Sequence, residues 1–381
     1  MKRTLGILIA NEPAVFSAMP LLGRPCALHV EQAVTDAGYT MATHPPAHAD
    51  DLRALMAEDV GVALLVNDNA PCLNADTYRG LVKAAATRPA AVLRSDLQTP
   101  LAMALPASML RELPLSGAVG LSALIDALNE MGVAVKVVHA QNPDDYIAVV
   151  DAESYAAAFA GIRRSIVHRH LQNGVVVLEP DRAIIEADVS IGKGTLLYPG
   201  NLLQNGTVIG ENCILYPNNR LDGAVLGNGV TVESSVLLRC RVGARTTVGP
   251  FAYLRPGSVI GEHCRIGDFV EVKNSVIGDG TKVSHLTYVG DADLGRDINL
   301  GCGTVFVNYD GKVKNRSTVD DHAFVGCNCN LIAPVHIGES AYLAAGSTVV
   351  EDVPADALYV ARSRGVIKED WVKRRREQGK L

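Results

Sequence analysis

The hydrophobic pattern of this chain changes its period partway along. In the first part, short apolar runs alternate with amphipathic stretches. Residues 5–10 and 62–66 read as buried parallel strands, and 133–138 as another. Apolar positions at helical spacing mark 29–37, 77–86 and 121–131. This alternation predicts a small α/β domain with a parallel sheet over residues 1–151. A helical connector over 152–171 follows, and Asn173-Gly174 is a good stop, so 152–174 reads as a linker helix.

From about residue 175 the rhythm is different. Aliphatic residues recur every six positions: Ile191, Leu197, Leu203, Ile209, Leu215, Leu221. A step of five reaches Leu226, and the series continues through Val232, Leu237, Val242, Val248, Leu254, Ile260, Ile266 and Val272. Further short steps lead to Ile277 and, after Val283 and Val289, to Leu294; Leu300 and Phe306 follow. After a break the series returns as Val319, Val325, Leu331, Ile337, Leu343 and Val349. Glycine often comes next, as at Gly192, Gly210, Gly261, Gly267 and Gly338. This is the hexapeptide pattern of a left-handed parallel β-helix, one aliphatic residue per flat face and three faces per coil. It predicts about nine coils, a rod on the order of 40 Å at the strand spacing, with the glycines setting the corners. The β-helix is expected over 175–365, with a basic tail over 366–381. An ordinary β-sandwich would alternate every two residues and does not fit. Twelve residues between Phe306 and Val319, VNYDGKVKNRST, leave the rhythm and must loop out of the coils.

Composition follows the same division. Of 35 glycines, 9 lie in residues 1–165, and aromatics make up only 5% of the chain, as a narrow prism requires. A net charge of −6 argues against broad nucleic-acid binding. No run is long and apolar enough for a membrane span, and the N-terminal MKRTLGILIANEP has no signal-cleavage pattern. The eight cysteines include no CxxC pair, which suggests free thiols in a reducing cytoplasm rather than a disulfide framework or a zinc site.

Polar clusters interrupt the repeat at Arg255, at Glu271 and Lys273, at His285 and Tyr288, and at Asn308-Tyr309-Asp310-Gly311 with Lys312 and Lys314. Arg255 and Lys273 are 18 residues apart, one coil, so they stack on one face and make a ready phosphate site. His285 falls two faces further on and could serve as a general base. The competing reading is a charged exterior with a hydrogen-bonded surface histidine.

The stretches GPFAYLRPGSVIG, IGDFVEVKNSVIGDGTKVSHLTYVGDADLG, NLGCGTVFVNYDGKVK, FVGCNCNLIAPVHIG and LAAGSTVVEDVP resemble, in order, the acyltransferase half of the bacterial bifunctional UDP-N-acetylglucosamine pyrophosphorylase/glucosamine-1-phosphate N-acetyltransferases. The resemblance implies a homotrimer with sites between neighbouring β-helices, the Lys314 loop reaching across a subunit boundary, and acetyl-CoA as cosubstrate. By position, His285 would be the base that deprotonates the glucosamine 2-amino group, with Glu271 supporting it and the sugar site. Arg255, Lys273 and Lys314 would bind the sugar phosphate; Tyr288, Asn299 and Asn308 would hold the sugar, with Tyr309 beside them. Cys302, Cys327, Ala345 and Arg362 would line the acetyl-CoA site, where the family pattern leads one to expect alanine at 302 and serine at 327. A zinc carbonic anhydrase on the same fold is a poorer match, because His263, His285, His322 and His336 do not form its motif.

The N-terminal part resembles the same family's nucleotidyltransferase domain in MPLLGRPCALHVEQAV and in the run from DDYIAVVDAES into the linker, but in a degenerate, shortened form. The phosphate-gripping glycine loop is replaced by Ala10-Asn11-Glu12-Pro13-Ala14, where Glu12 would repel a triphosphate. Asp68 fits the family's magnesium aspartate in a distorted frame, while its asparagine partner falls at Val150, which cannot ligate a hard cation. Loss of uridylyl transfer is the expectation. The rivals are an enzyme retaining both activities with magnesium, and a non-catalytic scaffold.

Overall fold

A computed structural model describes residues 2–10, 15–95 and 98–381. The chain divides into two compact units: Met1–Asn173 with Glu179–Val189 and Leu203–Asn205, and Gly174–Leu178 with Ser190–Leu202 and Gly206–Leu381.

The first unit is a three-layer α/β arrangement. Its strands are β1 (Arg3–Ile9), β2 (Thr40–Met41), β3 (Val60–Asn67), β4 (Ala90–Arg94), β5 (Pro100–Pro106) and β6 (Val135–Val137). Its helices include α1 (Cys26–Asp36), α2 (Ala49–Ala54), α3 (Ala75–Thr87), α4 (Ala107–Glu112) and α5 (Leu121–Glu130). The sheet order is β2-β1-β3-β5-β4-β6. Pairing is parallel as the alternation predicts, except that β5 runs antiparallel to both β3 and β4. The sequence explains the exception: five residues separate Arg94 from Pro100, too few for a parallel crossover. Apolar residues of alternate parity fill both faces, Ile7, Leu65 and Met103 in one core and Leu64, Tyr78 and Leu93 in the other. Helix α6 (Ala152–Gln172) begins at a reciprocal cap, in which Asp151 Oδ1 accepts from the Ser154 N–H at 2.8 Å and Ser154 Oγ accepts from the Asp151 N–H at 3.0 Å. Gly174, at φ 84°, lies just beyond its end.

The second unit is the left-handed parallel β-helix, three sheets wrapped into a prism. In-register columns run up each face: Val248, Ile266, Val283, Leu300, Val325 and Leu343 on the first; Leu254, Val272 and Val289 on the second; Ile260, Ile277, Leu294, Val319 and Ile337 on the third. From Leu197 to Val349 every member of the aliphatic series is at most 3% exposed.

The glycines that follow the inward residues work differently from the corner role expected of them, whereas others, such as Gly194, Gly223 and Gly280, do take left-handed corners. Gly192, Gly210, Gly261, Gly267 and Gly338 are not left-handed; they are needed because the next coil passes directly over them. A Cβ at Gly261 would lie 2.7 Å from the Asp279 backbone nitrogen, and one at Gly192 2.6 Å from that of Glu211. The left-handed corners are taken largely by other residues, such as Asn212, Asp297 and Asn328. Four of the five short steps fall at the corner between the second and third faces, where Gly223, Arg239, Asn274 and Asp291 have positive φ. The twelve-residue interruption leaves at the same corner. It forms a hairpin closed by an antiparallel bridge between Tyr309 and Lys314. Asp310 Oδ1 accepts from the N–H groups of Lys312 and Val313, each at 2.8 Å. Arg316 anchors the return, donating to the Asp293 carboxylate at 2.6 Å and to the Asn274 carbonyl at 2.9 Å. Beyond the coils, the basic tail carries helix α7 (Trp371–Glu377).

Candidate functional site

The tight corner and the second face gather most of the polar residues that the sequence singles out. Arg255 and Lys273 follow the inward residues Leu254 and Val272, which pair in register, so the two cations are stacked one coil apart as their spacing requires. Arg255 Nη1 donates to Glu271 Oε1 at 2.9 Å. Lys273 Nζ donates to Asp291 Oδ2 at 3.1 Å. Asp291 is the hub, only 7% exposed. Its carboxylate also accepts from Asn274 Nδ2 at 2.7 Å and Asn308 Nδ2 at 2.5 Å. Asn274, Asp291 and Asn308 each lie two residues past an inward residue, on three successive coils, which is why they form one column. Tyr288 folds over Gly290, where a Cβ would collide with its ring, and its hydroxyl lies 3.5 Å from Asn308 Nδ2.

The hairpin turns back onto its own chain and delivers Lys314 to this cluster, where the resemblance implied a reach across a subunit boundary. The neighbouring Lys273 ammonium holds Lys314 below the ordinary lysine range, while Asp291 acts in the opposite sense. Burial works against the charge on Lys273, but hydrogen bonding with Lys314 and Asp291 raises its pKa overall. Burial likewise opposes the Asp291 charge, and the hydrogen bonds from Asn274, Lys273 and Asn308 outweigh it, so its carboxyl lies below the usual range. Three cations therefore converge on two carboxylates, an arrangement suited to binding an anion.

A second column rises along the corner between the first and second faces. Asp268, His285, Cys302, Cys327 and Ala345 each stand two positions beyond the inward residues Ile266, Val283, Leu300, Val325 and Leu343, which are in register. His285 is half-exposed, and its Nδ1 lies 2.5 Å from Asp268 Oδ1. Cys302 and Cys327 are joined through the Asn328 N–H, which donates to the Cys302 carbonyl at 2.7 Å. The Gly346 N–H continues the ladder to the Cys327 carbonyl at 2.8 Å, and the Arg362 side chain passes above Gly346.

The assignment of Glu271 as the partner of His285 needs correction. Glu271 is occupied by Arg255, and the carboxylate on His285 belongs to Asp268. The reason is the corner: His285 ends a first-face strand and pairs in register with Asp268, whereas Glu271 opens the second face opposite Tyr288. Asp268 and Asp291 are the residues that sequence reasoning missed. Both could have been found by placing equal offsets from the inward residues on successive coils. Asn299 stands on the first face between Lys282 and Phe324, half-buried. Tyr309 is exposed, its hydroxyl donating to the Gly311 carbonyl at 2.7 Å within its own hairpin.

In the first unit, Asp68 follows β3, and its N–H donates to the Ile9 carbonyl at 3.0 Å. Val150 is 57% exposed and has no side-chain oxygen to offer a hard cation, so these two positions do not fit a magnesium site. Among the described residues no group of three or more His, Cys, Asp or Glu side chains is arranged to hold a metal ion. The Asn11–Ala14 substitution of the glycine loop, with Glu12, lies outside the described residues.

Comparison with known proteins adds the following. The family described as "Bacterial transferase hexapeptide (six repeats)" matches residues 239–274. The chain is 49% identical over 248 residues to "Bifunctional protein GlmU" of Acetivibrio thermocellus, a match covering 65% of this chain and 54% of that protein. It is 51% identical over 255 residues to the protein of the same name in Alkaliphilus oremlandii, covering 67% and 56%. The chain thus spans about half the length of the curated relatives it matches. Among solved structures, a Francisella novicida UDP-N-acetylglucosamine acyltransferase aligns with a TM-score of 0.32 at 18% identity, covering 49% of this chain and 65% of that one. A 4-diphosphocytidyl-2C-methyl-D-erythritol synthase from Anaerococcus prevotii aligns at 0.34 and 10% identity, covering 43% of this chain and all of that one.

Proposed function

We propose that the β-helix unit is an acetyl-CoA-dependent N-acetyltransferase whose acceptor is glucosamine 1-phosphate. The observation that carries this reading is the convergence of Arg255, Lys273 and Lys314 around Asp291 and Glu271, one corner away from an exposed histidine paired to a carboxylate. The similarity to proteins named bifunctional GlmU supports it. In this reading the cations bind the phosphate, and Tyr288, Asn299 and Asn308 hold the sugar, with Tyr309 at the rim. His285 Nε2 takes a proton from the 2-amino group as the nitrogen attacks the thioester carbonyl. A C–N bond forms, the C–S bond breaks, and the proton passes to the departing thiolate. Acetyl-CoA lies along the corner column of Cys302, Cys327 and Ala345, with Arg362 at its end. The two cysteines alter the fine shape of that pocket. Assembly as a cytoplasmic homotrimer is part of the proposal, as is the partition into residues 1–151, 152–174, 175–365 and 366–381.

We also propose that the first unit does not transfer uridylyl groups, on the residues at 11–14 and at Val150. One coupled assay tests both statements. Thiol release from acetyl-CoA with glucosamine 1-phosphate is expected in the native protein and absent from His285→Ala, without change in oligomeric state. Subsequent UTP and magnesium should give no UDP-N-acetylglucosamine. Full acetyl transfer by the His285→Ala variant would refute the first reading, and nucleotide-sugar formation the second.

A further inference from the structure

The histidine assigned as base has two ring nitrogens, and only one can be free to accept a proton. Asp268 and His285 stand at the same offset on successive coils, at the last positions of a register-paired strand pair. The pairing is therefore built into the backbone and does not depend on a chance rotamer. Nδ1 lies 2.5 Å from Asp268 Oδ1. Hydrogen bonding from His285 holds the Asp268 carboxyl below its usual range, so the carboxylate is an acceptor and Nδ1 carries the hydrogen. Among the described residues no hydrogen bond engages Nε2.

We propose that Asp268 is a positioning residue for acetyl transfer: it fixes His285 in the Nδ1–H tautomer, aims Nε2 outward at the acceptor amine and stabilises the imidazolium formed when that proton arrives. The role is the one a buried carboxylate plays for histidine in hydrolytic triads, reached here by coil stacking. It rests on the function proposed above. Glu271, committed to Arg255, cannot serve in this way. The other ionisable groups on the strands packed against the dyad are Arg265 below, Lys282 on the same strand and Cys302 above, with Glu271 and Tyr288 across the corner. Of these, Arg265 acts on Asp268 in the same sense as His285 does, keeping it ionised.

The test is Asp268→Asn in the full chain, with Asp268→Ala as a second variant. The amide can donate to Nδ1 and so favours the wrong tautomer. Expected is a fall in kcat of about ten- to a hundredfold, short of losing the base itself, with KM for both substrates within about twofold. A side chain of merely structural value would not change which ring nitrogen of His285 carries the hydrogen. In parallel, 15N shifts of the His285 ring, assigned with His285→Gln, should show a protonated Nδ1 and bare Nε2 in the native protein and a mixture in Asp268→Asn. An Asp268→Asn enzyme with native kcat would overturn the proposal, as would a native His285 protonated at Nε2. If the native protein fails to acetylate glucosamine 1-phosphate, the function proposal falls, and the nitrogen shifts still decide whether Asp268 sets the tautomer.

Discussion

Replacing Lys273 by methionine probes the anion site most directly. Methionine keeps an unbranched stem of similar length and deletes the ammonium. Around the corner Arg255, Lys273 and Lys314 oppose Glu271 and Asp291, a formal balance of +1 that falls to zero in the variant. A phosphate monoester carries about −1.5 to −2 charges near neutral pH. It loses one charge-assisted hydrogen bond, worth about 1.5–3 kcal/mol. KM for glucosamine 1-phosphate should therefore rise roughly 10- to 150-fold, while KM for acetyl-CoA stays within about twofold. Folding suffers too. Asp291, 7% exposed, keeps its two amide donors but loses its cation, at a cost of about 1–3 kcal/mol. The double variant Lys273→Met/Asp291→Asn separates the two effects. Removing the orphaned carboxylate should recover stability and return the formal balance to +1, while KM stays high because the hydrogen bond from Lys273 is still missing. Initial rates of thiol release against sugar-phosphate concentration, with urea unfolding of each variant, decide the matter. A folded Lys273→Met enzyme with native KM for the sugar phosphate would refute the assignment of these cations to phosphate.

Phe306 is an aromatic member of the otherwise aliphatic inward series and is fully buried, so Phe306→Ala should cost the β-helix about 3–5 kcal/mol, read as a lowered melting temperature of that unit; an unchanged transition would contradict a solid core. Two buried groups of the first unit should oppose each other in acid. Burial raises Asp145 to about 6, so the folded state holds that proton more tightly than the unfolded chain, and its contribution improves as pH falls through 6 toward 4. Burial lowers His170 to about 4, so its contribution is complete above about 6.5 and is lost as pH falls toward 4. Asp145→Asn should consequently steepen acid destabilisation between pH 6.5 and 4, measured by urea midpoints, and a flatter profile would refute this sign. Iodoacetamide should modify exposed Cys327 ahead of Cys26 and Cys240, whose thiols burial pushes up to about 12. Acetyl-CoA should slow that reaction, and labelling of Cys327 unaffected by saturating acetyl-CoA would argue against the corner column as its site.

The inward residues of the β-helix were legible one by one, because each coil repeats the same demand for an aliphatic side chain at one position in six. The stacking of Arg255 on Lys273 followed from the same count. What the count could not supply was the corner. That count puts His285 two faces beyond Lys273, and only the resemblance suggested Glu271 as its support; a turn through Phe269 and Leu286, both left-handed, keeps Glu271 and His285 on different faces and gives His285 to Asp268. The glycines were visible, but their reason was not. A residue after an inward aliphatic must be small only because the neighbouring coil crosses it, a through-space fact with no local signature. In the first unit the strands and helices were readable from period, whereas the reversal at β5 depended on counting the short connection before it.

The interrupting hairpin shows why the site's electrostatics lay beyond the sequence. Lys314 is 41 residues from Lys273, and nothing in their spacing brings them together. They meet because the hairpin leaves the tight corner two coils above Lys273 and is tied back by Arg316 to Asp293 and to the Asn274 carbonyl on the coil of Lys273. On the coil between, Gly290 leaves a space that the Tyr288 ring fills. Two ammonium groups held side by side repel each other, which is why Lys314 gives up its proton more readily than an ordinary lysine. Asp291 offsets only part of that repulsion. A bound anion would ease that repulsion, and Arg316, paired with Asp293, ties the hairpin back so that the two ammonium groups stay close. The anchor holds Lys314 beside Lys273, which is where the proposed anion site needs it.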